Sequence, residues 1–596
     1  MNILGVSCYF HDSAAALLRD GELVAAAEEE RFTRRKHDPE FPTNAIRYVM
    51  AEAGIDTSDV GYVVFFEKPF LKFERILSTA LGTFPRGARV FQNAMTTWLV
   101  DKLWIAGRIA QEVGVPRDRI LFSEHHLSHA ASAFFCSPFE EAALLTVDGV
   151  GEWATATAGR GRGTDIQLLR EIRFPHSIGL LYSAFTAFLG FEVNEGEYKV
   201  MGMAPYGQPR YVDLVRKLVR MAPDGSFALD LDYFTFHRST KNSYSRRFVE
   251  LFGAPRPADD HFFTAATGYP PYFGPRPADF DAQARRNQHY ADIAASIQVV
   301  TEQLVVNMAR ALHEETGLDR LCLAGGVALN SVANTKILKS SGFKELYVQP
   351  AAGDAGGALG AALYAYHALL GKPRSFMMDH AFWGPAHRDA DVRAFLDGES
   401  IAYERLDEPA LVDRVAEAIA GGAVIGWFHG RAEWGPRALG HRSILADPRR
   451  ADMKDVVNTK IKYREPYRPF APSVLAERVG EFFDAPGVAA QHPSRFMLLV
   501  VDVAPSKRNV IPAVTHVDGT GRLQVVVREG NERYHALISR FGEVTGVPVL
   551  LNTSFNLRGE PIVNTPREAY TTFVRSQLDA LVLENCLVWK DAARRR

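Results

Sequence analysis

Short apolar runs separated by tight polar turns open the chain. Residues 3–7 read as a strand, 9–12 as a polar turn, 13–18 as a second strand, Arg19-Asp20-Gly21-Glu22 as a hairpin turn, and 23–27 as a third strand. The same order returns later, with strands at 143–147, 154–158 and 166–169 around turns at 148–152 and 159–164. Helical periodicity takes over across 290–315 and is followed by two strand-to-turn-to-helix units. The first is a strand at 320–323 that ends in Ala324-Gly325-Gly326-Val327-Ala328-Leu329-Asn330. In the second, a strand at 345–349 and a turn at 350–353 lead into a helix of small residues opened by Asp354-Ala355-Gly356-Gly357-Ala358-Leu359-Gly360 and running to 370. Residues 223–288, rich in Phe, Tyr, Pro and Arg, follow neither period and read as an insertion over a cleft.

Two strand-turn-strand-turn-strand halves, each followed by helices, predict an α/β fold built by duplication. Actin, sugar kinases and heat-shock chaperone ATPases share such a fold, whose first turns face a nucleotide phosphate chain; the analogy concerns fold alone. The predicted organisation is a first domain over 1–370, a linker over 371–400 and a second α/β domain over 401–596.

A chain of 596 residues exceeds the size at which one core stops growing, so two large units are expected. Apolar content of 47%, charged content of 23% and a formal net charge of −2 describe a soluble protein and argue against a general nucleic-acid binder. Cys8, Cys136, Cys322 and Cys586 are too scattered for a disulfide framework, as in a reducing cytosol. No run reaches the length of a membrane span, and no basic leader precedes an apolar stretch, so a cytoplasmic location is expected.

Candidate chemistry starts at His125-His126-Leu127-Ser128-His129. Residues four apart share a helical face, so His125 and His129 present imidazoles to one point while His126 sits about 100° around the helix. Asp148, where the strand 143–147 runs out, is placed to join them, and a mixed nitrogen and oxygen set suits zinc or iron better than calcium or magnesium. The same histidines could equally serve as polar contacts of a helix without an ion. Asp354, read as the N-cap of its helix, would keep one carboxylate oxygen for a fourth ligand.

His11-Asp12 occupies the first turn, where the fold analogy puts the reacting end of a ligand, and a histidine near neutrality is a candidate general base. The turns at Gly325-Gly326 and Gly356-Gly357 leave backbone N–H groups for an anion at a helix N-terminus, although glycines also permit close packing. Residues 194–207, with Lys199 and Gly202, line the cleft or form an ordinary loop. In the second domain Arg431, Arg437, Arg442, Lys460, Lys462, Arg464 and Arg468 crowd one segment among Trp, Gly and Pro, which suits a phosphate clamp; a solvated basic face is the alternative. Asn552 and Ser554, after an apolar strand at 547–551, could complete the clamp.

Taken together, His11-Asp12-Ser13-Ala14-Ala15, the 125–130 run, 195–207, 325–330, 354–360, 433–449, 552–556 and Gly559-Glu560-Pro561 resemble the antibiotic and nodulation-factor O-carbamoyltransferases across nearly the whole chain. The resemblance implies an N-terminal actin-like domain of the TsaD-like, Kae-type (ASKHA) class and a C-terminal YrdC-like α/β domain. It further implies that carbamoyl phosphate and ATP, with Mg²⁺, give carbamoyl adenylate in the second domain, and that the first passes the carbamoyl group to an alcohol. His125, His129, Asp148 and Asp354 then match the ligands of a divalent metal, Fe(II) being the expected ion, with His11 and Asp12 as the catalytic pair. Lys199, Gly202, Gly325, Gly326, Asn330 and Gly356 would meet the nucleotide. Arg431, Arg437, Arg442, Lys460, Arg464, Arg468, Asn552 and Ser554 would hold carbamoyl phosphate and ATP. Expected partners are these substrates and a small-molecule alcohol, such as an antibiotic, natural product or sugar, with neither nucleic acid nor membrane; a homodimer is the candidate assembly. Acceptor recognition is expected in loops at 70–104 and 223–288, which carry no motif for a named acceptor. Alternatives are a metal-dependent hydrolase or peptidase, threonylcarbamoyl transfer to tRNA, and an actin-like ATPase without transfer chemistry.

Overall fold

A computed structural model describes residues 1–100 and 102–590. The chain divides into two units, one of residues 1–29, 37–261 and 284–378, the other of 30–36, 262–283 and 379–596. No helix among the described residues is long and apolar enough to cross a membrane.

In the first unit the strands form where the apolar runs predict them. β1 (Asn2–Ser7), β2 (Ala14–Arg19) and β3 (Glu22–Glu28) make an antiparallel meander, and β4 (Val60–Phe65) and β5 (Ile120–Phe122) extend it in parallel, giving the order β3-β2-β1-β4-β5. β6 (Glu141–Val147), β7 (Ala154–Arg162) and β8 (Asp165–Arg173) repeat the meander; after the short β9 (Val219–Met221) and β10 (Phe227–Leu229) hairpin, β11 (Arg320–Ala324) and β12 (Glu345–Tyr347) complete the order β8-β7-β6-β11-β12. The two sheets have one topology, so the internal repeat is a structural duplication.

Small residues bring the two halves into register around one helix, Asp354–Tyr364. A Cβ on Gly5 of β1 would lie 1.8 Å from the Ala358 carbonyl oxygen, and one on Gly360 would lie 1.8 Å from that of Ser128 in the helix His125–Phe134. Backbone therefore packs directly on backbone, a separation only glycine permits. Four structural expectations change. Asp354 is the first helical residue and makes no capping bond, since Gly353 holds the N-cap position. That helix ends at Tyr364 and continues as one π turn, Ala365–Leu369. Residues 70–104, expected as loops, carry the helices Pro69–Gly82 and Ala88–Val100 and a 3₁₀ turn at Lys102–Trp104; Asp101 lies outside the described residues. The end of the 223–288 segment belongs to the long helix Phe280–Thr316. Periodicity fails across that segment because its burial is aromatic: Phe248 and Phe252 pack on Phe185 and Phe188, with Phe185 and Phe248 centroids 4.9 Å apart, and Phe234 packs on Phe248.

The second unit is built on a nine-stranded mixed sheet. Its strands are β13 (Glu404–Arg405), β14 (Ile425–Phe428), β15 (Arg442–Ala446), β16 (Ala471–Leu475), β17 (Leu499–Asp502), β18 (Thr520–Val526), β19 (Val549–Ser554), β20 (Ala580–Leu583) and β21 (Cys586–Trp589), ordered β13-β21-β20-β14-β15-β19-β16-β18-β17. The helices Glu408–Ala420 and Glu532–Thr545 bury Leu411, Val415, Ile538 and Phe541 against Trp427, Leu445, Leu550 and Val582 of the sheet. All four cysteines are buried free thiols.

Candidate functional site

Helix His125–Phe134 starts directly after β5, and its N-terminus is capped from outside. Glu124, at the N-cap, makes no capping bond; instead both carboxylate oxygens of Glu152 accept the His125 N–H, at 3.0 and 3.1 Å, and one accepts the Lys68 N–H at 2.8 Å. A buried carboxylate at the positive end of a helix is favourable, and it fixes the first turn on which His125 sits. His125 Nε2 and His129 Nε2 then face each other at 3.1 Å. Asp148, at the end of β6, brings Oδ2 to 3.0 Å from His125 Nε2 and 3.8 Å from His129 Nε2. Asp354 Oδ1 stands 3.6 and 3.5 Å from the same two nitrogens. One ligand atom from each of the four residues falls within 4.8 Å of the others, and all four residues are buried.

These spacings fit an ion. Metal–nitrogen and metal–oxygen bonds of about 2.1 Å place neighbouring donors about 3.0–3.4 Å apart. Asp354 Oδ2 is buried without a hydrogen-bond partner, which is costly for a carboxylate oxygen. Asp148 is anchored through its other oxygen, which accepts the Gly326 N–H at 2.8 Å. His125 Nδ1 has no hydrogen bond, and the nearest carboxylate, Glu67 Oε2, stands 3.8 Å away and is held by Lys72 Nζ at 2.5 Å. His126 is separate from this set. Its Nε2–H donates to the Ala154 carbonyl at 2.9 Å, and Nδ1 pairs with the Thr146 hydroxyl at 2.6 Å. Burial, reinforced by His125 and His129, drives its pKa down to about 3, so it is a neutral core histidine.

Beside the centre, His11 Nδ1 lies 2.9 Å from Asp12 Oδ2, Asp12 Oδ1 lies 2.6 Å from His37 Nδ1, and His11 Nε2 faces Asp354 Oδ2 at 4.0 Å. Asp12 takes φ +53, a left-handed conformation that asparagine and aspartate tolerate best. Burial opposes charge on His11, but Asp12 and Asp354 outweigh it and raise its pKa to about 9. Burial likewise opposes the charge on His129, and hydrogen bonding with Asp148 and Asp354 raises it to about 9. Burial resists ionisation of Asp148, yet His125 and His129 hold its carboxyl well below the usual range. His37 and the capping Glu152 gave no motif signal; only the register of the turns after β1 and β6 brings them in.

The glycine turns are engaged locally. Gly325 has φ +93, and a Cβ there would lie 2.3 Å from the Val147 oxygen; the Gly326 N–H is taken by Asp148. A Cβ on Gly356 would meet Gln349 Nε2 at 2.0 Å. Asn330 caps the helix Ser331–Ser340 and exchanges hydrogen bonds with Gln298. Lys199 lies 5.6 Å from the Phe191 ring centre, and Gly202 sits within the helix Glu197–Met203.

The basic residues of the second unit separate into two groups. Arg442 spends its guanidinium on the carbonyls of His429, His441, Pro385 and Gly430 and stacks 3.6 Å over Phe428, so it ties loops together. Arg431 donates to Gly384 and Trp383 carbonyls, Lys460 pairs with Asp579 at 2.9 Å, and Asn552 bonds Ala438 and Gln524. Arg437, Arg464 and Arg468 instead converge with three further cations, Lys454, Lys462 and Arg522. Burial, then Arg437, Arg464 and Arg468, pull the Arg522 guanidinium well below its usual range. Burial, Arg464 and Arg468 do the same to Lys462. Burial and Arg464 outweigh Asp455 at Lys454 and lower it to about 8. Lys462 Nζ reaches the Ser554 carbonyl at 2.6 Å and Asn556 Oδ1 at 2.7 Å, which brings Ser554 to the cluster. Arg464 donates to Asn458 at 3.1 Å, and its carbonyl accepts from Tyr272. Buried cations that depress one another call for an anion. Arg522 lies some fifty residues from the others in sequence, beyond the reach of any charge-run signal.

The family profile described as carbamoyltransferase N-terminus matches residues 2–363, and that described as carbamoyltransferase C-terminus matches 416–590. An uncharacterized protein of Synechocystis sp. is 47% identical over 100% of this chain and 98% of its own. Nodulation protein NolNO of Sinorhizobium fredii is 41% identical over 98% of this chain and 80% of its own, and nodulation protein NolO of Bradyrhizobium diazoefficiens is 41% identical over 79% of each. Among solved structures, HypF from T. kodakarensis aligns at 15% identity with a TM-score of 0.31, covering 62% of this chain and 48% of its own. With both halves matched and these relatives spanning most of its length, the chain belongs to the carbamoyltransferase family and is a transferase.

Proposed function

We propose that the protein is an ATP-dependent O-carbamoyltransferase working in two steps. In the C-terminal unit, read as YrdC-like, water cleaves carbamoyl phosphate to carbamate and inorganic phosphate, and a carbamate oxygen then attacks the α-phosphorus of ATP held with Mg²⁺, pyrophosphate leaving as carbamoyl adenylate forms. The N-terminal unit, read as TsaD-like, delivers the carbamoyl group to a hydroxyl of a small molecule, with AMP as the leaving group. Arg437, Lys454, Lys462, Arg464, Arg468 and Arg522 supply the charge that gathers phosphate oxygens, and Ser554 joins them through Lys462.

The observation that carries the reading is the convergence of His125, His129, Asp148 and Asp354 beside His11. These four side chains would hold a divalent ion, Fe(II) being our assignment, which when bound supplies Lewis-acid polarisation of the carbamoyl carbonyl. Asp12 accepts the Nδ1–H of His11 and leaves Nε2 to receive the proton of the attacking alcohol. Asp354 neutralised by a cation no longer raises the His11 pKa, so His11 returns toward the range of a base at neutral pH. A mixed anhydride with AMP reacts with water, so enclosure of the centre serves the chemistry as well as the ion. Incubating the protein with carbamoyl phosphate, ATP and an acceptor panel tests the reading; pyrophosphate, AMP and a carbamate ester are expected, and absence of pyrophosphate throughout the panel contradicts it.

A further inference from the structure

Residues 70–104 and 223–288 carry no recognisable motif, yet the fold brings them to one open pocket of about 490 Å³ in the N-terminal unit. Arg86 and Arg89 come from the start of the helix Ala88–Val100 and the turn before it, and Arg238 and Lys241 from the loop after Phe236. Asn93 and Thr240 add polar groups, and among the described residues that line the cavity none is acidic. None of the four cations has an ion-pair partner among the described residues. Hydrogen bonds within the loop hold its shape: Thr235 Oγ1 donates to the Asn242 carbonyl at 2.6 Å, and Ser239 Oγ accepts from the Lys241 and Asn242 N–H groups at 3.1 and 3.2 Å.

Three contacts link the pocket to the metal centre. Arg75, on the helix Pro69–Gly82 that leads to Arg86, donates to the Gly151 carbonyl at 2.7 Å, in the turn that begins with Asp148. Its guanidinium lies 5.1 Å over Phe174, and Phe174 meets Phe236, two residues before Arg238, at 6.5 Å.

We propose that this pocket binds the acceptor through an oxyanion, so that the preferred acceptor is a phosphorylated or sulfated sugar-like alcohol. The inference rests on the carbamoyl-transfer reading and narrows its substrate class. Guanidinium groups hold tetrahedral oxyanions through paired hydrogen bonds, and four cations lining one pocket favour a group carrying two or more charges over a single carboxylate.

Binding and turnover separate the two ideas. Titration calorimetry with glucose 6-phosphate, glucose 6-sulfate and glucose is expected to show at least tenfold tighter binding of the charged pair; preference between those two assigns the oxyanion. The variants R86Q/R89Q and R238Q/K241Q, all at exposed or half-exposed positions, should each lose at least tenfold of that affinity, whereas R464A in the other unit retains it. In carbamoyl transfer the same double variants should raise KM for a phosphorylated acceptor at least tenfold with kcat unchanged. Equal affinity for all three sugars, or affinity unchanged in both double variants, overturns the inference even if neutral alcohols are carbamoylated. Charged-sugar binding that depends on these residues, without carbamoylation of any acceptor, leaves the pocket standing and sinks the transfer reading instead. Displacement of the bound sugar phosphate by tRNA at lower concentration than by any sugar overturns the inference in favour of an RNA partner.

Discussion

His129 Nε2 stands 3.1 Å from His125 Nε2, inside a pair of carboxylates that approach both rings. Two imidazoles that turn the same nitrogen inward can share only one proton, whereas one cation satisfies both lone pairs and both anions. Purified protein is therefore expected to carry one divalent ion per chain by elemental analysis. His129→Ala and Asp354→Asn should lose it. Glu67→Gln, which touches only the far side of His125, should weaken it about tenfold, the size usual for partners behind a ligand. Full metal content in Asp354→Asn would contradict the site.

Gly360→Ala tests how the fold delivers Asp354. The added methyl meets the Ser128 carbonyl at 1.8 Å, and overpacking of this kind costs about 3 kcal/mol when the backbone must shift. Thermal melting and metal content should fall together in this variant. A normal melting temperature with normal metal content would mean that the helix Asp354–Tyr364 is not the positioning device.

Arg522→Gln should behave in the opposite sense in the second unit. Removing one of several cations that disfavour each other relieves the folded protein, as at other sites shaped for binding. In anion-free buffer its melting temperature should equal or exceed that of the unaltered protein, while ATP–pyrophosphate exchange falls at least tenfold. A melting temperature several degrees lower would assign Arg522 a structural role instead.

Much of this was legible in the sequence because it rests on local rules. Residues 3–27 and 143–169 announce their strands through alternation and turn residues, and the four-residue spacing of His125 and His129 follows from helix geometry alone. The N-cap argument that puts Asp354 beside the two histidines is imperfect: Asp354 heads its helix without capping it, and its free oxygen comes from a first-turn position. Arg442 and Arg522 show where such reading stops. Charge density at 431–468 identifies a cationic segment, but which guanidinium is spent on carbonyls and which joins the cation cluster depends on the strand order β15-β19-β16-β18, set by pairings across the whole unit. The helices within 70–104 were missed because Gly, Pro and exposed apolar residues such as Phe70 and Phe84 blur their faces.

Acid should unfold the second unit through its buried histidines. Burial lowers the pKa of His441 to about 3, and burial with Arg522 and Lys454 lowers that of His516 to about 4. The unfolded chain takes up these protons below the ordinary value near 6.5, so stability present above about pH 6.5 is lost as pH falls, by about 1.4 kcal/mol per unit for each histidine. Melting temperature should decline steadily from pH 6.5 to 4.5, less steeply in His516→Gln. A flat profile over that window would contradict neutral burial.

Separation of the two half-reactions is the most direct test of a two-site transferase. With carbamoyl phosphate, ATP and an acceptor, His129→Ala is expected to release pyrophosphate at close to the normal rate while forming no carbamoylated alcohol, and Arg464→Ala to release none. Equal loss of pyrophosphate release and of alcohol carbamoylation in both variants would contradict it.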